Sequence, residues 1–329
     1  MSWDPTLTWE VAQQRADIIH TIRQFFLARQ VIEVETPSLS KGTVTDVHLE
    51  ALSCQYYYLE DSLIDTATEL YLQTSPEFHM KRLLASGYGS IFQISKAFRH
   101  EDHGKHHNPE FTMLEWYRLA FTHFDLMKEV SELLVLVLRC AEPSFFTYQE
   151  LFQKTVSLDP LNTNRTELLA LLRSHNKLSD WLISDSIGDN NNDILLQFIF
   201  TELIEPKIGK KSPCFVYNFP SSQASLARIS TDDPRVSERF ECYYKGIELV
   251  NGFHELTDAD SQTLRFKQDN LIRAKKGLKS RPIDSQFIAA LQHGLPRCAG
   301  VALGVDRLVM LALGKENIAE VLSFPIINA

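Results

Sequence analysis

Three stretches of the chain gather residues able to do chemistry. "SIFQISKAFR" (90–99) and "FTMLEWYRLAF" (111–121) read as two strands joined by the polar loop "HEDHGKHHNPE". Alternation puts Gln93, Ser95, Ala97 and Arg99 on one face of the first strand, and Phe111, Met113, Glu115 and Tyr117 on one face of its partner. A hairpin presenting Arg99, Phe111 and Tyr117 together could hold a phosphate, a flat ring and a polar ligand group. An ordinary half-buried hairpin with a surface arginine accounts for the same residues. The loop histidines His100, His103, His106 and His107 are of a type that zinc takes. Zinc sites usually add cysteine or carboxylate ligands on regular structure, so solvation or anion contact is the preferred reading here.

The second stretch is "GIELVNGFHEL", with Glu248 and Glu255 an odd number of residues apart. A regular strand would point them to opposite faces. Gly252 suggests a bulge that changes the register and lets both carboxylates converge. Paired carboxylates beside phosphates bind Mg²⁺; two solvent-facing acids on an edge strand are the alternative. The third is "CAGVALGVDRLVM", Cys298–Met310, an apolar strand, a glycine turn and a helix start. Gly300 and Gly304 let backbone approach a ligand, Arg307 follows at once, and Ala302 stands between the glycines. A packing corner needs glycine too, and the run is not the GxxxxGK[ST] phosphate loop.

These stretches need elements to carry them. "TWEVAQQRADIIHTIRQFFLARQ" has a helical stripe (Val11, Ile18, Ile19, Ile22, Phe25, Phe26) with Thr8 as N-cap. "VIEVETP" reads as a short strand ended by Pro37. "TELYLQTSPEFHMKRLLASG" reads as strand, turn and helix, with Ser75 able to cap, Pro76 at the first helical position and Gly87 as the stop. "FDLMKEVSELLVLVLRC" is an amphipathic helix. From 142 to 211 the pattern weakens into short helices and the polar loop "SDSIGDNNND", expected to be mobile or variable. "CFVYNFP" and "RFECYYKGIELVNGFHEL" return to strand. Strands recurring in hairpins with helices between some of them make an α+β fold with a mainly antiparallel sheet, expected as a single domain over 1–329.

Composition is that of a soluble globular protein, 44% hydrophobic and 23% charged over 329 residues, and its net charge of -9 argues mildly against wrapping nucleic acid. The five cysteines show no CxxC spacing and read as reduced thiols. No basic n-region marks a signal peptide, and no apolar run spans a bilayer. A cytoplasmic protein without membrane contact is expected.

Taken in order, "ETP" at 35–37, "FRHEDHGKHHNPEFTMLEWY" and "GVALGVDRL" resemble motifs 1, 2 and 3 of the class II aminoacyl-tRNA synthetases. "TSPEFHMKRL" and "IELVNGFHEL" narrow the resemblance to the lysyl branch, over essentially 11–329. The resemblance implies an antiparallel sheet flanked by helices and a homodimer formed through motif 1. It implies ATP and Mg²⁺. Arg99 would bind the ATP α-phosphate and the amino-acid carboxylate, and Glu101 and Asn108 would contact adenine. Phe111 and Arg307 would stack on its two faces, and His107 would reach toward the β,γ-phosphates. His100, Leu249 and Gly304 also fall in the nucleotide site. Glu248 and Glu255 would hold Mg²⁺, with Arg99, Arg307 and Glu248 as the catalytic set. Glu255 and Tyr117 would take the substrate's side-chain ammonium, Glu77 its other amino group, with Ser75, Pro76, Asn251 and Ala302 around them.

A lysyl-tRNA synthetase carries an N-terminal anticodon-binding domain of about a hundred residues or more. Here the motif 1 helix begins within ten residues of Met1, so that domain is expected to be absent and tRNA an unlikely partner. The chain instead resembles the family of stand-alone paralogues that ligate (R)-β-lysine to a lysine of translation elongation factor P. Ala302 supports this choice, standing where lysyl synthetases have glycine in the run GxGxGxDR. Its methyl would crowd an α-amino group and favour one displaced by a carbon. His106 also departs from the family pattern, replacing an arginine before His-Asn-Pro-Glu-Phe. "RFKQDNLIRAKKGLKSR", Arg265–Arg281, has seven basic residues and one acid and could hold the acceptor protein, or be a solvated helix end. The rival readings are a minimal lysine–tRNA ligase and a catalytically silent regulatory paralogue. Retention of Arg99, Glu248, Glu255 and Arg307 argues against the silent one.

Overall fold

A computed structural model describes residues 3–57, 67–101, 103–185 and 192–329. Most of the polar loop 184–193 and Asp102 of the histidine loop lie outside the described residues. The chain forms two compact units, Met1–Thr122 with Glu255–Ala329, and His123–His254.

The first unit runs α1 (Trp9–Leu27), β1 (Ile32–Glu33), β2 (Leu39–Ser40), β3 (Ser53–Tyr56), β4 (Thr68–Leu72), α2 (Glu77–Ala85), β5 (Ile91–Phe98) and β6 (Glu110–Leu119). The second contains α3 (His123–Leu138), β7 (Ser144–Thr147), α4 (Tyr148–Val156), α5 (Arg165–Ser174), α6 (Asp180–Asp185), α7 (Asp193–Ile199), β8 (Cys214–Pro220), β9 (Val236–Tyr244) and β10 (Ile247–His254). The chain then returns to the first unit for α8 (Ala259–Lys275), α9 (Ser285–Gly294), β11 (Cys298–Gly304) and α10 (Val305–Ala312). No helix of the described residues is long and apolar enough to cross a membrane.

In the first unit β1 pairs parallel with β5, β5 antiparallel with β6, and β6 antiparallel with β11; β2, β4 and β3 form a small antiparallel sheet. In the second, β7 pairs parallel with β8, and β8, β9 and β10 follow antiparallel. The mainly antiparallel α+β reading holds, with β7 an addition that its four residues were too few to announce.

The α1 stripe buries Val11, Ile22, Phe25 and Phe26, and Thr8 caps the helix by accepting from the Val11 amide. Phe26 stacks on Phe92 of β5 at 4.5 Å and meets Trp116 of β6 edge-on. This locks α1 against the strands that carry the candidate site. Phe78 of α2 stacks on Phe287 of α9 at 4.5 Å. The second unit has its own core around Tyr148, Phe152, Phe200 and Phe219. Pro76 stands at the N-cap of α2 rather than inside it. Ser75, one residue earlier, accepts from the Glu77 amide at 3.1 Å.

The bulge in β10 sits at Leu249, not Gly252. Glu248 pairs with Tyr243 and Val250 with Cys242, so Leu249 has no partner. Gly252 stays in register because the Phe240 ring covers it; a Cβ there would stand 2.4 Å from Phe240 Cζ. The basic stretch 265–281 is likewise not one surface. Arg273 is fully buried, bonding Glu50 and the carbonyls of Asp46 and Lys279, and buried Arg281 also pairs with Glu50. Those two arginines join segments of the first unit and cannot meet a partner; Lys267 and Lys276 stay exposed.

Candidate active site

The pairing of β5, β6 and β11 places one row of side chains on a common face. Gln93 lies opposite Glu115, Ala97 opposite Phe111, Glu115 opposite Ala302 and Tyr117 opposite Gly300. Residues two apart on a strand share a face, so Gly300, Ala302 and Gly304 form a small-residue lane beside Tyr117, Glu115 and Met113.

At one end of that lane three acids and one lysine converge. Lys81 of α2, 1% exposed, lies 2.6 Å from Glu77 Oε1 and 2.5 Å from Glu255 Oε2. Helical spacing sets the first contact, four residues apart on one face. Glu115 accepts from Ser75 Oγ at 2.5 Å and from the Tyr117 hydroxyl at 2.6 Å. Burial raises the Glu115 carboxyl, with Glu77 adding to it; burial likewise raises Glu255, against the pull of Lys81. Burial alone would lower the Lys81 ammonium, but Glu255 and Glu77 outweigh it and hold it raised. Tyr117 is raised by burial and by the same acids, so it stays a neutral donor. Gly300 is where this cluster presses on the strand, since a Cβ there would stand 2.2 Å from Tyr117 Cε1 and 2.4 Å from Glu255 Oε1.

The other end of the lane is cationic and aromatic. The Arg99 guanidinium lies over the Phe111 ring at 5.1 Å and 4.0 Å from Glu101. Arg307, at the start of α10, donates from Nε to the His106 carbonyl at 3.1 Å and meets His107 Nε2 at 2.8 Å. His106 therefore reaches Arg307 through its backbone. Burial and then Arg307 lower the His107 imidazole, which favours its neutral, accepting form. The Asn108 side chain donates to the Glu110 carbonyl at 2.6 Å and accepts from the Ile326 amide at 2.9 Å, tying the loop to the C-terminal segment. His100 is exposed at the loop's start. Asp306 turns inward: it accepts from the Thr112 amide at 2.7 Å and pairs with Arg15 of α1 at 2.6 Å. Asp306 thus fixes the helix whose next residue is Arg307.

The structure brings Ser75, Pro76, Glu77, Arg99, His100, Glu101, His107, Asn108, Phe111, Tyr117, Glu255, Ala302, Gly304 and Arg307 into the first unit. Glu248, Leu249 and Asn251 lie on β10 of the second. There the bulge puts Glu248, Asn251 and Phe253 on one face, and Asn251 donates to Glu241 at 3.4 Å. Glu241 also accepts from Arg239 at 2.5 Å and from Tyr243. Sequence reasoning missed Lys81, Arg239 and Glu241, and left Glu115 without a role. The i,i+4 pair of Glu77 and Lys81 was the available signal for one of them. Among the described residues the loop histidines form no three-ligand group; the one such group is His123, Glu238 and His254.

A family model described as class II tRNA synthetases (D, K and N) matches residues 7–328. A relative from Yersinia enterocolitica named elongation factor P–(R)-β-lysine ligase is 52% identical over 325 residues, covering 99% of this chain and 98% of its own length. Relatives of the same name from Klebsiella pneumoniae and Salmonella paratyphi B are 51% identical over 328 residues, covering 100% of this chain and 98% of theirs. With motif 2 on the β5–β6 hairpin, motif 3 across β11 and α10, and this match over nearly every residue, the chain belongs to the class II tRNA synthetase family and is an ATP-dependent ligase of it.

Proposed function

We propose that the chain activates (R)-β-lysine with ATP as an aminoacyl-adenylate and transfers it to a lysine of translation elongation factor P. Full-length likeness to relatives bearing that name supports the acceptor and the amino acid. The observation that carries the reading is the acid cluster. Glu77, Glu115 and Glu255 gather around one lysine, so with every group ionised the pocket holds two negative charges more than positive ones. Buried charge is costly unless matched. A ligand with two ammonium groups supplies the match, and (R)-β-lysine has two. Ala302, opposite Glu115 on the pocket wall, supports selection by the position of the second amino group.

In the reaction the substrate carboxylate attacks the α-phosphorus of ATP and pyrophosphate leaves. Negative charge grows on the phosphate oxygens, and Arg99 and Arg307 are the fixed cations that offset it. No side-chain nucleophile is needed. Phe111 offers a flat face to the base. Glu248 and Glu255 are the residues that would hold Mg²⁺, and carboxylate oxygens are the donors that ion prefers. Mg²⁺ bound there would offset phosphate charge further.

One family model running through both units supports their acting as a single catalytic domain. The exposed Trp9 and Leu27 of α1 and Ile32 of β1 support a homodimer through motif 1. A cytoplasmic location is part of this proposal, supported by five dispersed free cysteines with no CxxC spacing. The second reading, lysine transfer to tRNA, is favoured by the family description alone. ATP–pyrophosphate exchange with lysine and (R)-β-lysine, followed by transfer to elongation factor P or to tRNA, separates the two. Preferential lysine activation with tRNA charging and no protein labelling would overturn the proposal.

A further inference from the structure

The second unit holds a polar cluster that amino-acid activation does not use. His123 is the first residue of α3, Glu238 lies on β9, and His254 ends β10. Each offers one ligand atom, and the three atoms lie within 4.8 Å of one another. His254 Nδ1 stands 2.5 Å from Glu238 Oε2, and His123 Nδ1 stands 3.7 Å from the same oxygen. Both histidines are buried, and the Glu238 side chain is 12% exposed.

His123 is the informative member. Among the described residues neither of its ring nitrogens has a hydrogen-bond partner, although it is 4% exposed. A buried polar side chain is ordinarily satisfied, and one left open beside two other ligands points to something that completes it. Neutral imidazole is the form that binds metal, and a buried ring beside a carboxylate and a second imidazole is placed to do so.

We propose that His123, Glu238 and His254 form a binding site for a zinc-type divalent cation, separate from the ATP-linked Mg²⁺. Two imidazoles and one carboxylate are a ligand set zinc takes, with a fourth position left for water. Tetrahedral ligands about 2.05 Å from zinc stand about 3.3 Å apart, within the span already present. Arg228 is the competing cation, with Nε 3.2 Å from Glu238 Oε2. Its side chain is 31% exposed and can swing to solvent when the metal takes its place. Since His123 and His254 are the first and last residues of the second unit, the cation would clasp its two chain entries. A clasp across a long loop acts mainly on stability.

The test uses the full chain, stripped with chelator, equilibrated with Zn²⁺ and dialysed against metal-free buffer without ATP. About one zinc per chain is expected, with a rise in the thermal midpoint. His123→Ala and Glu238→Gln should each lower zinc affinity at least about tenfold and abolish that rise. ATP–pyrophosphate exchange and circular dichroism report whether each variant is folded, and His123→Gln serves if the alanine variant is not. Co²⁺ in the parent chain should give a spectrum of nitrogen and oxygen ligation with no thiolate charge-transfer band. No retained zinc, equal retention by the folded variants, or a thiolate band from the cysteines would overturn the site.

Discussion

Gly300→Ala tests whether the close approach of β11 to Tyr117 and Glu255 shapes the amino-acid pocket. The new Cβ would stand 2.2 and 2.5 Å from two Tyr117 ring carbons and 2.4 Å from Glu255 Oε1, where ordinary contact begins at 3.4 Å. Ring and carboxylate must each withdraw by about 1 Å, and the 2.6 Å bond from Tyr117 to Glu115 is strained with them. Overpacking of this kind costs about 1–3 kcal/mol. Taken from transition-state binding, that is about 5- to 150-fold in kcat/KM for the amino acid. ATP–pyrophosphate exchange with (R)-β-lysine reads it, and KM for ATP should change little. Gly304→Ala is the control on the same strand: its Cβ meets nothing nearer than Arg307 Cδ at 3.6 Å, so the amino-acid KM should hold. Unchanged kcat/KM in Gly300→Ala, or equal losses in the two variants, would refute the reasoning.

Further predictions concern the same pocket. Ala302→Gly, opposite Glu115, should relax selection toward α-lysine in the exchange assay; unchanged selectivity would show that the methyl is not the gate. Lys81→Met leaves buried Glu255 and half-buried Glu77 without their cation and should lower stability by about 3–5 kcal/mol, read by denaturant unfolding. The raised carboxyls of Glu115 and Glu255 hold protons in the free pocket that a diammonium ligand displaces. A raised carboxyl favours the free fold at low pH, and that contribution is lost as pH rises through its folded value. Amino-acid binding should therefore release protons, and its affinity should rise with pH until the ligand's own ammonium groups titrate. Calorimetry in buffers of different ionisation enthalpy measures the release, and proton uptake would contradict the charge count.

Much of this site was legible because it is local. Alternation in 90–99 and 111–121 placed Gln93, Phe111, Glu115 and Tyr117 on their faces, and the observed register keeps them there. Thr8 and Ser75 act on the helix starts where their hydroxyls suggested. The misses are long-range. Nothing near Gly252 in the chain says that Phe240 will cover it, so a glycine that marks a close approach looked like one that marks a bulge. Arg273 and Arg281 looked like part of a basic surface because their partner, Glu50, is more than two hundred residues away. Lys81 resembles any helical surface lysine until the fold brings Glu255 against it.

Asp306 and Arg307 are neighbours with opposite duties, one turned to the interior and one toward the motif 2 loop. Because Asp306 is held by Arg15, the arginine clamp is anchored to a helix at the far end of the chain. Nucleotide affinity thereby becomes a gauge of how firmly α1 is seated. A fluorescent nucleotide reads that gauge: substitutions that unseat α1 without touching the pocket should register first as weaker nucleotide binding.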